Sequence, residues 1–158
     1  MNAGSSNSVL ECIPPPAYFV VFLLVGWALG QVRPFSLGLS FLPARLGVAI
    51  VLFTLSVFTG VWALLIFRRE HTTPVPFGTP SALLTSGPFR FSRYPLSIAL
   101  ALALLAFATL LDSVWVLVLV PVLILTLDRF IVPAEESRLR HLFGDQYIAY
   151  AARVRRWL

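Results

Sequence analysis

Four apolar runs alternate with short polar breaks along the chain, and their lengths predict a bundle of membrane-spanning helices. The first, residues 17–32, covers ~24 Å as a helix against a hydrocarbon core of ~30 Å. Flanking residues must complete that span, or it lies tilted or partly re-entrant. Pro14-Pro15-Pro16 precede it and Arg33-Pro34 end it. The second run, residues 46–67, holds 22 residues without a charge, or ~33 Å of helix. It is closed by Arg68-Arg69-Glu70-His71. The third and fourth, residues 96–111 and 114–127, are separated only by Asp112-Ser113, which predicts an antiparallel helical hairpin. Pro121 is expected to kink its second arm.

Beyond the fourth run the pattern turns amphipathic. Pro133 suits the first turn of a new helix, with Glu135 and Glu136 near its positive end. Leu139, Leu142 and Phe143 share one face, Gly144 reads as a stop, and Asp145 as the N-cap of the next helix. Tyr147, Tyr150 and Val154 then recur at helical spacing, with Arg153, Arg155 and Arg156 on the wet side. Residues 68–95 form a long connection containing Pro74, Pro76, Pro80, Pro88 and Pro95; such connections are usually functional or disordered. The expectation is one all-α membrane domain over residues 1–158. It comprises a flexible tail (1–13), two membrane helices (14–67), and a core with the hairpin and C-terminal helices (68–158).

Composition supports lipid as the solvent. Hydrophobic residues make up 58% of the chain and charged residues 12%, against about 25% charge in soluble domains. The net charge of +5 raises nucleic acid as a partner, but the charges cluster at the ends of apolar runs, so none is expected. All twelve basic residues are Arg, which suits carboxylate and phosphate binding and equally fits a compositional bias of the source genome. The lone Cys12 excludes an internal disulfide and a Cys-cluster metal site; no metal is expected. The first twelve residues contain Glu11 and no basic residue, so a signal peptide is not expected. Apart from Arg33 and Arg45, every Arg lies in the 68–95 connection or after residue 128. The positive-inside rule therefore assigns that connection and the C-terminus to the cytoplasm, and four spans put the N-terminus there too.

The candidate chemistry begins at Gly87-Pro88-Phe89-Arg90-Phe91-Ser92-Arg93-Tyr94-Pro95, a turn with two prolines and two arginines at the mouth of the third run. A second polar block, Asp128-Arg129 and Glu135-Glu136, follows the fourth. The hairpin returns the chain to the same membrane face, so Arg90, Arg93, Asp128, Arg129, Glu135 and Glu136 can converge. Ionisable groups at such depth are costly unless paired or wet. A mixed Arg/Glu cluster suits a zwitterionic small molecule, with Arg for a carboxylate and Glu for hydroxyls or a cationic group. The plainer readings are structural: Arg68, Arg69, Arg153, Arg155 and Arg156 as anchors to anionic headgroups, and Glu136–Arg140 as an i, i+4 surface pair. His71 reads as a solvated boundary residue, and Trp27, Trp62, Trp115 and Trp157 as interfacial or packing residues.

Leu84-Thr85-Ser86-Gly87-Pro88-Phe89-Arg90-Phe91-Ser92-Arg93-Tyr94-Pro95 resembles the signature of the isoprenylcysteine carboxyl methyltransferase and phospholipid methyltransferase superfamily. Its pattern is a Val-Thr-Ser-Gly segment followed by Arg-His/Asn-Pro-x-Tyr. The later block matches as well: Glu135-Glu136, Leu139, Phe143-Gly144, Tyr147, Tyr150 and Arg153-Val154. The similarity covers roughly residues 66–158. It implies an integral-membrane enzyme using S-adenosylmethionine at the cytosolic face, with a lipophilic acceptor reaching the site laterally from the bilayer. Carried over by position, Leu84, Thr85, Ser86 and Gly87 line the cofactor pocket, and Glu135 and Glu136 help hold the cofactor. Pro88, Arg90, Tyr94, Pro95 and Arg129 complete the expected cofactor-binding set. Arg93 is the signature arginine, and Arg93 and Glu135 are the expected catalytic residues. A carboxylate acceptor needs no general base; an amine or phenol needs one, with His71 or Glu135 as candidates.

The chain departs from the pattern in two places. Tyr94 and Ser97 stand where His/Asn and the terminal Tyr are usual, and Val154-Arg155-Arg156 where many relatives have Val-Pro-Arg. The rival readings are an NADPH-dependent membrane reductase of the sterol-reductase type and a non-catalytic membrane protein.

Overall fold

Small residues set how the helices meet. In the computed structural model, which describes residues 14–70 and 82–157, α1 spans Pro15–Val32, α2 Leu42–Arg69 and α3 Pro95–Leu110. Next come α4 at Val114–Thr126, a π-helical turn at Leu127–Ile131, α5 at Val132–Phe143 and α6 at Asp145–Arg153. Helices α2 and α3 form the most extensive contact. Ala49, Ser56 and Ala63 of α2 are buried there, as are Ala99, Ala103 and Ala106 of α3. Without large side chains between them the backbones approach closely, as is usual where lipid supplies no hydrophobic drive between helices. Ser56 Oγ donates to Ala99 O at 2.7 Å across this contact. Helix α1 packs on α4 by the same device: a Cβ at Gly26 would lie 2.9 Å from Val116 Cγ2. Tyr18, Leu104, Val116, Leu123, Leu127 and Ile131 form the main buried cluster between α1, α3 and α4.

The outer surfaces are apolar. Val21, Leu24, Trp27, Ile50, Val51, Phe58 and Leu65 are exposed on α1 and α2, an arrangement water opposes and a bilayer favours. Three helices are long and apolar enough to cross a membrane: Pro15–Val32, Leu42–Arg69 and Val114–Phe143. The fourth expected span, α3, has 16 residues, or ~24 Å; it is an apolar helix below crossing length, enclosed by α2 and α4.

The hairpin forms as expected. Asp112 takes φ +48° at its turn, and Ser113 caps α4 by accepting from Val116 N. The helix expected at Pro133 forms, with Pro133 in the first turn of α5, and it joins the fourth run through the π turn, where Val132 N donates to Leu127 O, so that Val114–Phe143 is one helical stretch. A π turn widens the helix and gives the Pro133 ring room beside the carbonyl of Arg129, which an α-helix would bring into collision. Asp145 is not a cap: Gly144, at φ +49°, ends α5 and precedes α6, and Asp145 is the first residue of α6. The tail 1–13, Cys12, His71 and the prolines at 74, 76 and 80 lie outside the described residues.

At the hairpin-turn face, residues 33–41 are tied to the turn. Asp112 Oδ1 accepts from Leu37 N (3.1 Å) and Leu39 N (3.3 Å), Val114 N donates to Phe35 O, and Trp115 Nε1 donates to Arg33 O at 2.6 Å. Arg45 reaches the other Asp112 oxygen at 4.0 Å.

Candidate active site

The other face carries the charges. Glu136, one turn into α5, is 4% exposed. Its Oε1 accepts from Arg93 Nη1 at 2.8 Å and from Arg156 Nε at 2.9 Å, and its Oε2 accepts from Arg156 Nη2 at 2.9 Å. Arg93 Nη1 also donates to the Tyr147 hydroxyl at 3.1 Å. Asp128, at the π turn, closes the far side: its Oδ1 accepts from Arg156 Nη1 (3.5 Å) and Trp157 Nε1 (3.3 Å). A buried carboxylate is stable here because each oxygen receives charged donors.

Local folding explains how Arg93 comes to point inward. The preceding loop is pinned to α2. Gly87, at φ +60°, lies so close that a Cβ would sit 3.0 Å from Ile66 Cγ1 and 3.2 Å from Trp62 Nε1. Phe89 packs edge-on against Phe67 at 5.6 Å, and its carbonyl accepts from the Tyr150 hydroxyl at 2.8 Å. After α6 the chain turns extended at Val154 and runs back along this loop. There Arg93 N donates to Arg155 O (3.1 Å) and Ser92 Oγ to Arg156 O (2.8 Å).

The expected residues separate into groups. Arg93 and Glu136 are joined directly, across 43 positions of sequence. Tyr94 is buried as the N-cap of α3 with its ring 6.2 Å from that of Trp157, and Pro95 is buried in the first turn. Glu135 is half-buried on the first turn of α5, near enough for its charge to act on Tyr94. Leu84, Gly87 and Pro88 serve the packing of the loop on α2, and Ser86 is exposed. Thr85 and Arg90 line a cleft of about 680 Å³ whose other wall is Tyr150, Arg153 and Val154. Arg129 is exposed on the π turn, and among the described residues no ion pair joins it or Arg90 to the network.

Two expectations fail. Glu136 does not pair with Arg140 at the surface, because its helix face turns inward and tertiary partners saturate it. Arg156 is not a headgroup anchor, because the reversal after α6 aims it at Glu136 and Asp128. The signal for Arg156 was present in the sequence: it occupies the Arg position of the Val-Pro-Arg pattern.

The electrostatics follow from burial. The Tyr94 hydroxyl is pushed far above the ordinary range by burial and then by the negative charge of Glu135, so it stays a neutral donor. Burial also raises Tyr147, opposed by its hydrogen bond from Arg93, and raises Tyr150. Arg156 is raised by its bonds to Glu136. One donor is left over: among the described residues Arg93 Nε is buried without a hydrogen-bond partner, as is Arg45 Nε at the opposite face. A buried unpaired donor costs about 1–3 kcal/mol, so its position calls for an acceptor.

No curated protein and no solved structure gave a significant match. Residues 44–146, however, match the sequence model of the family described as "Phospholipid methyltransferase". That segment begins earlier than the resemblance noted above, taking in α2, and stops short of most of α6 and the residues after it. It contains Arg93, Glu135 and Glu136, and it covers more than half of the chain. The chain therefore belongs to the phospholipid methyltransferase family, integral-membrane methyltransferases that use S-adenosylmethionine.

Proposed function

We propose that this enzyme methylates a lipophilic acceptor at the membrane face carrying Arg93, Glu135 and Glu136, and that this face is cytoplasmic. The observation that supports the site most directly is the 2.8 Å pair between Arg93 and Glu136, which joins the two polar blocks across the hairpin. The residues present fit the cofactor. Arg93 Nε is a buried donor suited to a carboxylate, Tyr94 a neutral hydroxyl, and Glu135 an acceptor for hydroxyl or ammonium groups. Glu136 is saturated by two arginines, so its part is to hold Arg93. Thr85 and Arg90 extend the polar lining along the neighbouring cleft. The cofactor, when bound, supplies an electrophilic sulfonium methyl. The chain's own residues hold it in line with the acceptor and keep water out.

The acceptor class turns on a proton. An isoprenylcysteine-like carboxylate arrives ionised and needs no base, whereas a headgroup amine must first lose a proton, with Glu135 as the candidate to take it. We favour the carboxylate or another membrane-soluble small molecule, because two of the three carboxylates of the polar block at this face, Asp128 and Glu136, are engaged by arginines. Calorimetry in detergent tests the site: S-adenosylhomocysteine binds in the micromolar range, Arg93→Ala weakens it and Glu135→Ala abolishes it. Binding of NADPH in its place would overturn the reading. Radiolabelled methyl transfer into a native lipid extract identifies the acceptor. A rate that is flat from pH 6 to 9 supports a carboxylate, and one that climbs with pH supports an amine.

A further inference from the structure

Arg156 lies beyond the segment that matches the family and engages both Glu136 and Asp128 of the network. Its fork grips Glu136 through Nε and Nη2, each at 2.9 Å, while Nη1 reaches Asp128 at 3.5 Å. Its backbone is fastened as well: the Arg156 carbonyl accepts from Ser92 Oγ, which in turn accepts from Tyr94 N at 3.1 Å, and the preceding carbonyl accepts from Arg93 N. Trp157 then lays its ring beside Tyr94 and donates to Asp128.

The consequence is geometric. Glu136 has two oxygens and Arg93 presents its own fork to it. With Arg156 absent, Arg93 could turn and take both oxygens bidentately, the preferred arrangement of a guanidinium and a carboxylate. With Arg156 in place, Oε2 is occupied and Oε1 is shared, so Arg93 is confined to a single bond to Glu136 through Nη1, which also donates to Tyr147, and its Nε is left directed elsewhere. We infer that Arg156 is a positioning residue: the segment 154–157 is a clasp that occupies Glu136 and thereby keeps Arg93 aimed at the cofactor. This rests on the reading of Arg93 as a cofactor-binding residue.

The test uses the full chain in detergent and measures S-adenosylhomocysteine affinity, cofactor KM, kcat and melting temperature. Arg156→Ala is expected to weaken S-adenosylhomocysteine binding and raise cofactor KM by about tenfold, with kcat changed less than threefold. Arg156→Lys keeps the charge but not the fork; it is expected to melt near the wild-type temperature and still lose about threefold or more in affinity. Gly26→Ala, at the α1–α4 contact, lowers stability without touching the clasp and should leave affinity within twofold. Because Arg156 acts through Arg93, the double variant Arg93→Ala/Arg156→Ala should bind no worse than Arg93→Ala alone. If Arg156→Ala does not fold, Arg156→Lys decides alone, and wild-type affinity in it overturns the clasp. Additive losses in the double variant, or equal losses in Gly26→Ala and Arg156→Lys, overturn it too. If Arg93→Ala itself leaves binding intact, the site reading fails instead, and the clasp with it.

Discussion

The two ends of the bundle both gather charge around a carboxylate, and they do so in opposite ways. At the hairpin turn, Asp112 is satisfied chiefly by backbone donors, Leu37 N and Leu39 N, with Arg45 at 4.0 Å. At the other end Glu136 is satisfied by two guanidinium groups from segments far apart in sequence. Each end also leaves one arginine Nε buried without a partner among the described residues, so an orphan donor by itself does not mark a site. The surroundings differ. The Arg45 side chain is twice as exposed as that of Arg93, 26% against 13%, and its described partner is a single carboxylate already tied to backbone. Around Arg93 stand a second glutamate, a neutral buried tyrosine and a loop pinned at Gly87. A carboxylate tied to backbone fixes a turn. One clamped by side chains can hold another side chain in a chosen direction.

Substitutions at the two ends should separate these roles. The largest effect is expected at Glu136→Gln, which leaves two arginines without their counter-charge. Breaking a buried pair costs about 3–5 kcal/mol, and the lower end applies because Arg156 is 40% exposed. Cofactor affinity should fall further than stability explains; a binding loss that merely tracks melting temperature would make Glu136 another Asp112.

Two glycines form the next pair. Gly87→Ala meets Ile66 at φ +60°, and Gly26→Ala meets Val116; each should cost about 1–3 kcal/mol in denaturation. Only Gly87→Ala should weaken S-adenosylhomocysteine binding, because only that glycine anchors the loop before Arg93. Equal affinities in the two variants would detach the loop from the site.

Asp112→Ala removes an acceptor of two backbone N–H groups and should cost about 1–2 kcal/mol, its partial exposure tempering the loss. Asp112→Asn keeps an oxygen and tolerates the positive φ, so it should recover most of that. Neither should change cofactor KM; a tenfold rise would show that the two ends are coupled. Smallest, Tyr150→Phe gives up the bond to Phe89 O for about 1 kcal/mol of stability, read as a modest drop in melting temperature.

Much of this was legible in residue order because lipid leaves the backbone few options. A helix satisfies its own hydrogen bonds, so the apolar runs, the Asp112-Ser113 turn and the stop at Gly144 follow from local pattern. The convergence of Arg93 with Asp128 and Glu136 on one face followed from the hairpin. Partner choice did not. By helical spacing the partner for Glu136 was Arg140, four positions on, and Arg156 read as one more basic anchor. Helical spacing fixes which residues share a face; it does not say which face turns inward. The unbroken helix from Val114 to Phe143 set the inward face of α5, and the reversal after α6 carried Arg156 under the loop. The sequence by itself determined the helices, the membrane and the charged face. Only tertiary packing decided which arginine holds Glu136 and which is left with a free donor, because that choice depends on distances between segments that local pattern does not encode.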